Sequence, residues 1–521
     1  MEKTAGARSR RFCTGAVLIL SGVMLGLLVA AGFLFAGHLG MWDGNTEAFR
    51  FVRLNVLESI VLPLAALGTA VLLHGLLTRF AHVHLSLWAA GLWAALVSAF
   101  IVALGAQQVF DAATVMEGAR LFARGSYKPM SMDYFNVYSY QLTLCLPMEI
   151  LARMLPGIDL NLLMQLVNVV MSVGAGLALT AFTGLLVPER RAKEACAALL
   201  LLVLPAPMYC IHVYGTIPMI FFTSLALLFF GLYVRTGKAR FALAYVLMLA
   251  AAYLMKLNAA IALIALLICA VLDAVKKKKV QPVLYALLSV LLSVFLASAS
   301  VWQYEVRSGV SLRENVSTLA RFTMGLQDGK TAAGWFNNYT EQFFPAEVTP
   351  EMEKEIASRD LAARLAEMKE DPKGTAAFFA EKYFSQWLEP SYNVLRYGQA
   401  TDAVGAQWTG KARGFAGPMG GTLAALFEEG NPARRVLEAL LHGTQQALLL
   451  LTLAGLVQAF KRRDDVLQTI LPLLFFGAVL YHLLFEAKSQ YAYPYMVYLV
   501  PVAAQGLCAV EAAVRRRWSK K

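Results

Sequence analysis

The chain has 521 residues, of which 58% are hydrophobic and only 15% charged, and its mean hydropathy is +0.57. Soluble domains carry about 25% charged residues, and a single core stops growing beyond about 250–300 residues, so this much apolar surface cannot be hidden in water. A soluble enzyme, a secreted module and a disordered chain are excluded. Uninterrupted apolar blocks such as Ala16–Phe35 and Val283–Ala299 instead predict an all-α polytopic membrane protein.

The formal net charge of +12 is placed in short clusters: Arg8, Arg10 and Arg11; Arg190, Arg191 and Lys193; Lys276 to Lys279; Lys461 to Arg463; Arg515 to Arg517. That spacing follows the bias of basic residues toward cytoplasmic loops, and it argues against nucleic acid as a partner. The six cysteines are scattered through apolar stretches with no paired spacing, so they read as small packing residues.

A spanning length of about 20 residues gives candidate spans at 13–36, 57–78, 86–106, 162–186, 194–213, 217–234, 240–255, 258–274, 281–301, 437–459, 466–485 and 491–513, about twelve crossings. The first is read as an uncleaved span, because its apolar run is long for a signal peptide and lacks a small-x-small cut site. An amino terminus in the cytoplasm puts every basic cluster on that side and the carboxyl terminus there too. Gln141–Leu155, interrupted by Pro147, Glu149 and Arg153, is expected to lie along the external interface. The organisation expected is a membrane domain over 1–301 with an external loop at 107–161, an extracytoplasmic domain over 302–435, and membrane helices over 436–521. Within the external domain Thr349-Pro350 and Asp371-Pro372 mark helix starts, and Gly405–Gly421 reads as loop.

The loop after the third span carries the chemistry. Asp111 opens it, a helix with small residues follows, then Gly125-Ser-Tyr127, and then Tyr134-Phe-Asn-Val-Tyr138 and Tyr140 lead to the interfacial segment. A partly desolvated carboxylate at a membrane surface gains proton affinity and suits general base work, while the same residue type also caps helix amino termini. Both readings of Asp111 stand on the residues alone. Lys256 interrupts an apolar hairpin at its external end, where a cation either snorkels or binds an anion. Lys488 and Glu486 share the short turn between the last two spans. The tyrosines fit an aromatic belt or a sugar-stacking surface, and His212 and Tyr214 read as packing residues. Seven histidines without spaced ligand partners argue against a tightly held metal.

Together these features resemble the GT-C superfamily, the integral-membrane glycosyltransferases that use polyprenyl-phosphate-linked sugars. The protein O-mannosyltransferases and the aminoarabinose transferase of lipid A are similar members. Further stretches resemble an uncharacterised branch in Gram-positive bacteria: Val213-Tyr-Gly-Thr-Ile-Pro218, Lys256-Leu-Asn258, Met324-Gly-Leu-Gln327, Gly334-Trp-Phe-Asn-Asn-Tyr339, Lys382-Tyr-Phe-Ser-Gln-Trp387 before Glu389-Pro, and Phe485-Glu-Ala-Lys-Ser-Gln-Tyr-Ala-Tyr-Pro494. They run from about Gln107 to Leu507, and their order is the signal.

The resemblance implies a GT-C-like bundle and transfer of a sugar from a polyprenyl-phosphate donor to an external acceptor: a cell-envelope glycan, a glycolipid or a protein. Asp111 would be the general base, with Lys256, Lys488, Tyr134, Tyr138 and Glu486 binding the donor. No resident metal is implied, and a divalent cation remains open. Two departures matter. In the superfamily the catalytic loop usually follows the first span, so Asp43 and Glu47, beside Arg50 and Arg53, form a rival site. Many members also pair two acids, whereas Ala112 follows Asp111 and Glu117 lies about 120° away around a helix. A secondary transporter or lipid-carrier flippase, and a non-catalytic scaffold, are the competing functions.

Overall fold

The computed structural model describes residues 2–42, 46–131, 133–312, 316–345, 347–396 and 414–518. It is nearly all helical, with one two-stranded hairpin among the described residues. Among the described residues ten helices are long and apolar enough to cross a membrane, which makes this a multi-pass membrane protein. They are α1 (Glu2–Gly32, apolar from Arg11), α2 (Leu62–Arg79, extended by a π turn from Leu57), α3 (Leu85–Leu104), α7 (Leu160–Leu186), α10 (Thr216–Thr236), α12 (Ala260–Lys277), α13 (Gln281–Ser308), α17 (Pro432–Lys461), α18 (Leu467–Leu484) and α19 (Tyr493–Trp518). A shorter apolar helix, α11 (Ala239–Met255), adds to them.

The stretch 194–213, expected as one span, is two helices, α8 (Arg190–Leu201) and α9 (Ala206–Ile211). Pro205 explains the break: it has no N–H to donate to Leu201, and its ring crowds that carbonyl. α9 therefore ends in a loop, 212–215, that leaves the helical direction and turns back into α10.

The polar stretch after α1, expected as a loop, pairs as an antiparallel hairpin, β1 (Phe35–Trp42) with β2 (Thr46–Arg53). Phe49, Phe51 and Val52 are aromatic and β-branched residues that suit a strand rather than a coil. The rings of Phe49 and Phe51 lie 5.0 Å apart and Phe35 sits 5.1 Å from Phe51, so one face of the ribbon is aromatic. The hairpin is tied to the rest of the chain: Gly37 N–H donates to the Leu388 carbonyl at 2.8 Å and Arg434 donates to that of Leu39 at 2.9 Å.

At the end of the bundle carrying the basic clusters, Arg11 pairs with Asp464 at 2.5 Å and Arg235 with Asp465 at 2.5 Å. The opposite end carries the hairpin and the helices α4 (Phe110–Ala123), α5 (Asp133–Val137) and α6 (Leu142–Met154), with α6 packed on α4 and α13. It also carries α14 (Thr318–Gly325), α15 (Pro350–Glu370) and α16 (Pro372–Trp387). Thr349 and Asp371 cap α15 and α16 by accepting from Met352 N–H and Gly374 N–H. Buried residues of this region share cores with neighbouring elements: Trp335 with Leu39 and Ala487, and Ala320 and Phe343 with Val137. Residues 414–419 lie on the end of α3, where Gly417 N–H donates to Leu104 O at 3.0 Å; 405–413 of the expected loop falls outside the described residues.

Candidate functional site

The site is assembled at that second end from loops which a polar stripe on α7 holds in place. Asn161, Gln165 and Asn168 occupy one helix face at i, i+4 and i+7 and are buried. Asn161 and Gln165 each donate to the Ala106 carbonyl at 2.9 Å, and Gln165 also donates to Ile211 O at 3.0 Å. Gln108 completes the link by accepting from Val213 N–H and donating to Ile211 O, each at 2.8 Å. Two chain reversals, 105–109 and 211–215, are thereby locked side by side with their backbone groups satisfied.

Asp111 stands in the first turn of α4. Phe110 before it has φ +50°, the left-handed region that a bulky residue avoids, and the Arg396 guanidinium lies 4.2 Å from its ring centroid. The strained residue aims Asp111 toward Tyr214, whose hydroxyl donates to the carboxylate at 3.2 Å. That hydroxyl also accepts from Gln141 at 2.6 Å and lies 3.4 Å from the Tyr134 hydroxyl. Glycine is required at 215: φ is +76°, and a Cβ would collide with the Met255 carbonyl. The close approach brings Lys256 to Thr216, 3.1 Å from its hydroxyl, with the ammonium 4.7 Å from the Tyr214 ring centroid.

Lys488 enters from the turn between α18 and α19 and meets the Glu47 carboxylate at 2.6 Å; Arg396 pairs with the same carboxylate. Glu486 accepts from Tyr491 at 3.3 Å. Tyr134 and Tyr138 have ring centroids 5.2 Å apart, Tyr138 and Tyr140 6.1 Å, and Arg321 lies 5.5 Å from the Tyr140 ring. Asp111, Lys256, Lys488, Tyr134, Tyr138 and Glu486 thus share one electrostatic neighbourhood. Glu117 instead pairs with Arg120 at 3.6 Å. Of the rival pair, Asp43 lies outside the described residues, while Glu47 joins the Asp111 site rather than forming a centre with Arg50 and Arg53, which are exposed.

Burial raises the Asp111 carboxyl above the ordinary carboxylate value, opposed by Lys488, by the Tyr214 hydrogen bond and by Lys256. The side chain remains open to solvent on one side. Neither lysine contacts it as an ion pair among the described residues, so they act on it through space. Burial pulls Lys256 down to about 8, against the pull of Asp111. Burial and then Arg396 lower Lys488 to about 7, opposed by Glu486 and Asp111. Burial likewise raises Glu486.

An accessible carboxylate with raised proton affinity can accept a proton from a hydroxyl, and adjacent cations can hold an anionic group. Asp111 has two ammonium neighbours, and no group of three His, Cys, Asp or Glu is disposed to hold a metal among the described residues.

An apolar cavity of about 140 Å3 lies within the bundle, lined among others by Leu77, Trp93, Ala175, Leu200, Ile220 and Val497. Its wall includes Ile217, the residue after Thr216, so the cavity begins one residue from the partner of Lys256.

Sequence reasoning missed Arg396, Gln108 and the α7 stripe, and read Tyr214 as packing. The stripe was detectable as three polar residues on one face of an apolar span. Arg396 offered no such signal, since nothing local marks a loop arginine that folds onto a distant carboxylate. No protein-family model matches the chain, and no curated protein matches it.

Proposed function

We propose that this chain is an integral-membrane glycosyltransferase of the GT-C type, moving a sugar from a polyprenyl-phosphate donor to an external acceptor. The observation that carries the reading is one carboxylate of raised proton affinity, Asp111, among Lys256, Lys488 and Arg396, in a bundle whose apolar cavity reaches Ile217, the residue after the Lys256 partner Thr216. Such a set suits a ligand that is part hydroxyl, part phosphate and part hydrocarbon.

In this reading the bundle crosses the membrane about twelve times: the ten long helices, α11, and the broken pair α8–α9. Both termini are cytoplasmic, and the site faces the extracytoplasmic side. The lipid tail of the donor enters the apolar cavity, and its phosphate meets the cations. Asp111 removes the proton of the acceptor hydroxyl as its oxygen attacks the anomeric carbon in line. The bond from that carbon to the phosphate oxygen breaks, and Lys256 and Lys488 stabilise the charge on the leaving lipid phosphate. Tyr134 and Tyr138 offer faces to the sugar ring. The acceptor class is a cell-envelope glycan, a glycolipid or a protein.

The test is transfer of labelled sugar from membrane polyprenyl phosphates by purified, detergent-solubilised protein, wild type against Asp111→Asn. The amide keeps the size and cannot take the proton, so transfer should fall about 10²–10⁴-fold while donor binding persists. Unchanged transfer removes Asp111 as the base. The cavity also favours a second reading, because it runs toward Leu77 and Ser86 near the basic end. A lipid-carrier flippase would use that path without a base, and lipid translocation in proteoliposomes surviving Asp111→Asn would favour it.

A further inference from the structure

The unusual feature of the site is the carboxylate already seated on its cations. Glu47 bridges Lys488 and Arg396, and all three side chains are nearly enclosed, with relative exposures of 12%, 14% and 12% respectively. It arrives from β2, far from either cation in sequence. Its strand is held by contacts that do not involve the site: the pairing of Met41 with Glu47 in the hairpin, the Gly37 and Arg434 hydrogen bonds, and His38, which lies 3.3 Å from Glu438 and 3.4 Å from Glu429. The Thr331 hydroxyl also donates to the Glu47 carbonyl at 3.4 Å.

Two enclosed cations facing one another repel, and each has lost hydration, so without an anion the pair would shed a proton or splay apart. Glu47 supplies an anion between them and keeps them from splaying apart, while burial and Arg396 still hold Lys488 at about 7. A carboxylate oxygen shared by an ammonium and a guanidinium has the same charge sign as a phosphate oxygen in that place and is the same kind of acceptor. Arg396 is further fixed by the Phe110 ring, so the cations are positioned from the side of Asp111 as well as from Glu47. The clamp is therefore preformed, and its occupant is part of the chain.

We propose that Glu47 is an exchangeable internal counter-ion: it holds Lys488 and Arg396 as a phosphate clamp in the empty enzyme and is displaced when the donor phosphate binds between them. The proposal rests on the phosphate-donor reading above and adds a step to it. A rotation of the Glu47 side chain out of the clamp is sufficient, with the hairpin anchors left in place. Binding then exchanges one anion for another, so the two cations always face an anion held between them.

The counter-ion role and a purely structural ion pair predict opposite signs. The probe is undecaprenyl phosphate in detergent, with the full chain and a binding measurement alongside thermal unfolding. If Glu47 competes with phosphate, Glu47→Gln binds the probe at least about tenfold more tightly than wild type, and high salt narrows the difference. Lys488→Met weakens binding in both backgrounds. If Glu47 only braces the two cations, Glu47→Gln binds equally or more weakly, and that result overturns the proposal. Should Glu47→Gln fail to fold, Glu47→Asp, one methylene shorter, is expected to tighten binding in the same sense, and weaker binding by it also overturns the idea. Failure of the donor reading looks different: wild type then shows no saturable binding of the probe, or binding that Lys488→Met leaves unchanged.

Discussion

Two clusters of charge lie at the same end of the bundle, and they are built on opposite terms. Around Glu149 on α6, every charge has a close partner. Its carboxylate accepts from Tyr304 at 2.6 Å, pairs with Arg153 at 2.8 Å and pairs with Arg307, which also donates to it at 3.2 Å. Burial alone would raise the Glu149 carboxyl, but the hydrogen bonds from Arg307, Tyr304 and Arg153 outweigh it and hold it below the ordinary value. Around Asp111, burial wins, because one tyrosine hydroxyl is its only hydrogen-bond partner among the described residues and the cations stand farther off. A saturated network braces α6 against α13; an unsaturated one leaves a carboxylate with proton affinity to spare. What separates a strut from a site here is the number of partners each charge has been given.

The contrast can be broken at either end. Asp111→Asn is expected to cost about 10²–10⁴-fold in sugar transfer and almost nothing in thermal stability, measured on the same preparation. Glu149→Gln should do the reverse. It leaves Arg307 without its counter-charge in a largely enclosed place, at a cost of about 3 kcal/mol in stability seen by thermal or denaturant unfolding. Equal behaviour of the two variants would dissolve the distinction.

The pH profile sharpens it. Asp111 works as a base only when deprotonated, so activity is present above its raised value and lost as pH falls through it. Both lysines must be charged to meet a phosphate, so activity declines as pH rises, with the Lys256 part of the alkaline limb near 8, above the part near 7 that Lys488 sets. Lys256→Arg keeps its charge at all accessible pH and should extend the alkaline limb upward; an unmoved limb would exclude Lys256 as its source. Lys256→Met should raise the KM for donor about tenfold and leave that for acceptor unchanged. Tyr138→Phe, which retains the ring face and loses only the hydroxyl, is the smallest change expected, within about threefold in donor KM.

The apolar blocks legible in the chain appear in the structure as long helices, because a span must satisfy all its backbone groups internally and its sequence announces that over about 20 residues. Helix starts at Thr349 and Asp371 were equally local, set by a side chain three residues from the N–H it caps. The hairpin carried a strand signal in Phe49, Phe51 and Val52, but the charges of Glu47, Arg50 and Arg53 disguised it as a loop. The break at Pro205 was also written in the chain, within a stretch whose hydropathy alone suggested one helix.

The sequence by itself determined that this is a helical membrane protein, where its apolar stretches lie, and that Asp111, Lys256 and Lys488 needed explaining as charges next to apolar segments. Only the tertiary structure decided which of these charges meet. Glu47 was half of a rival acidic pair or a solvated turn residue, and Arg396 an unremarked loop cation, until the hairpin and the segment after α16 converged on the turn holding Lys488. Hydrophobic patterning is a property of neighbours in the chain. Electrostatic pairing depends on distances of a few ångströms between residues hundreds of positions apart, and those distances are set by how the helices pack.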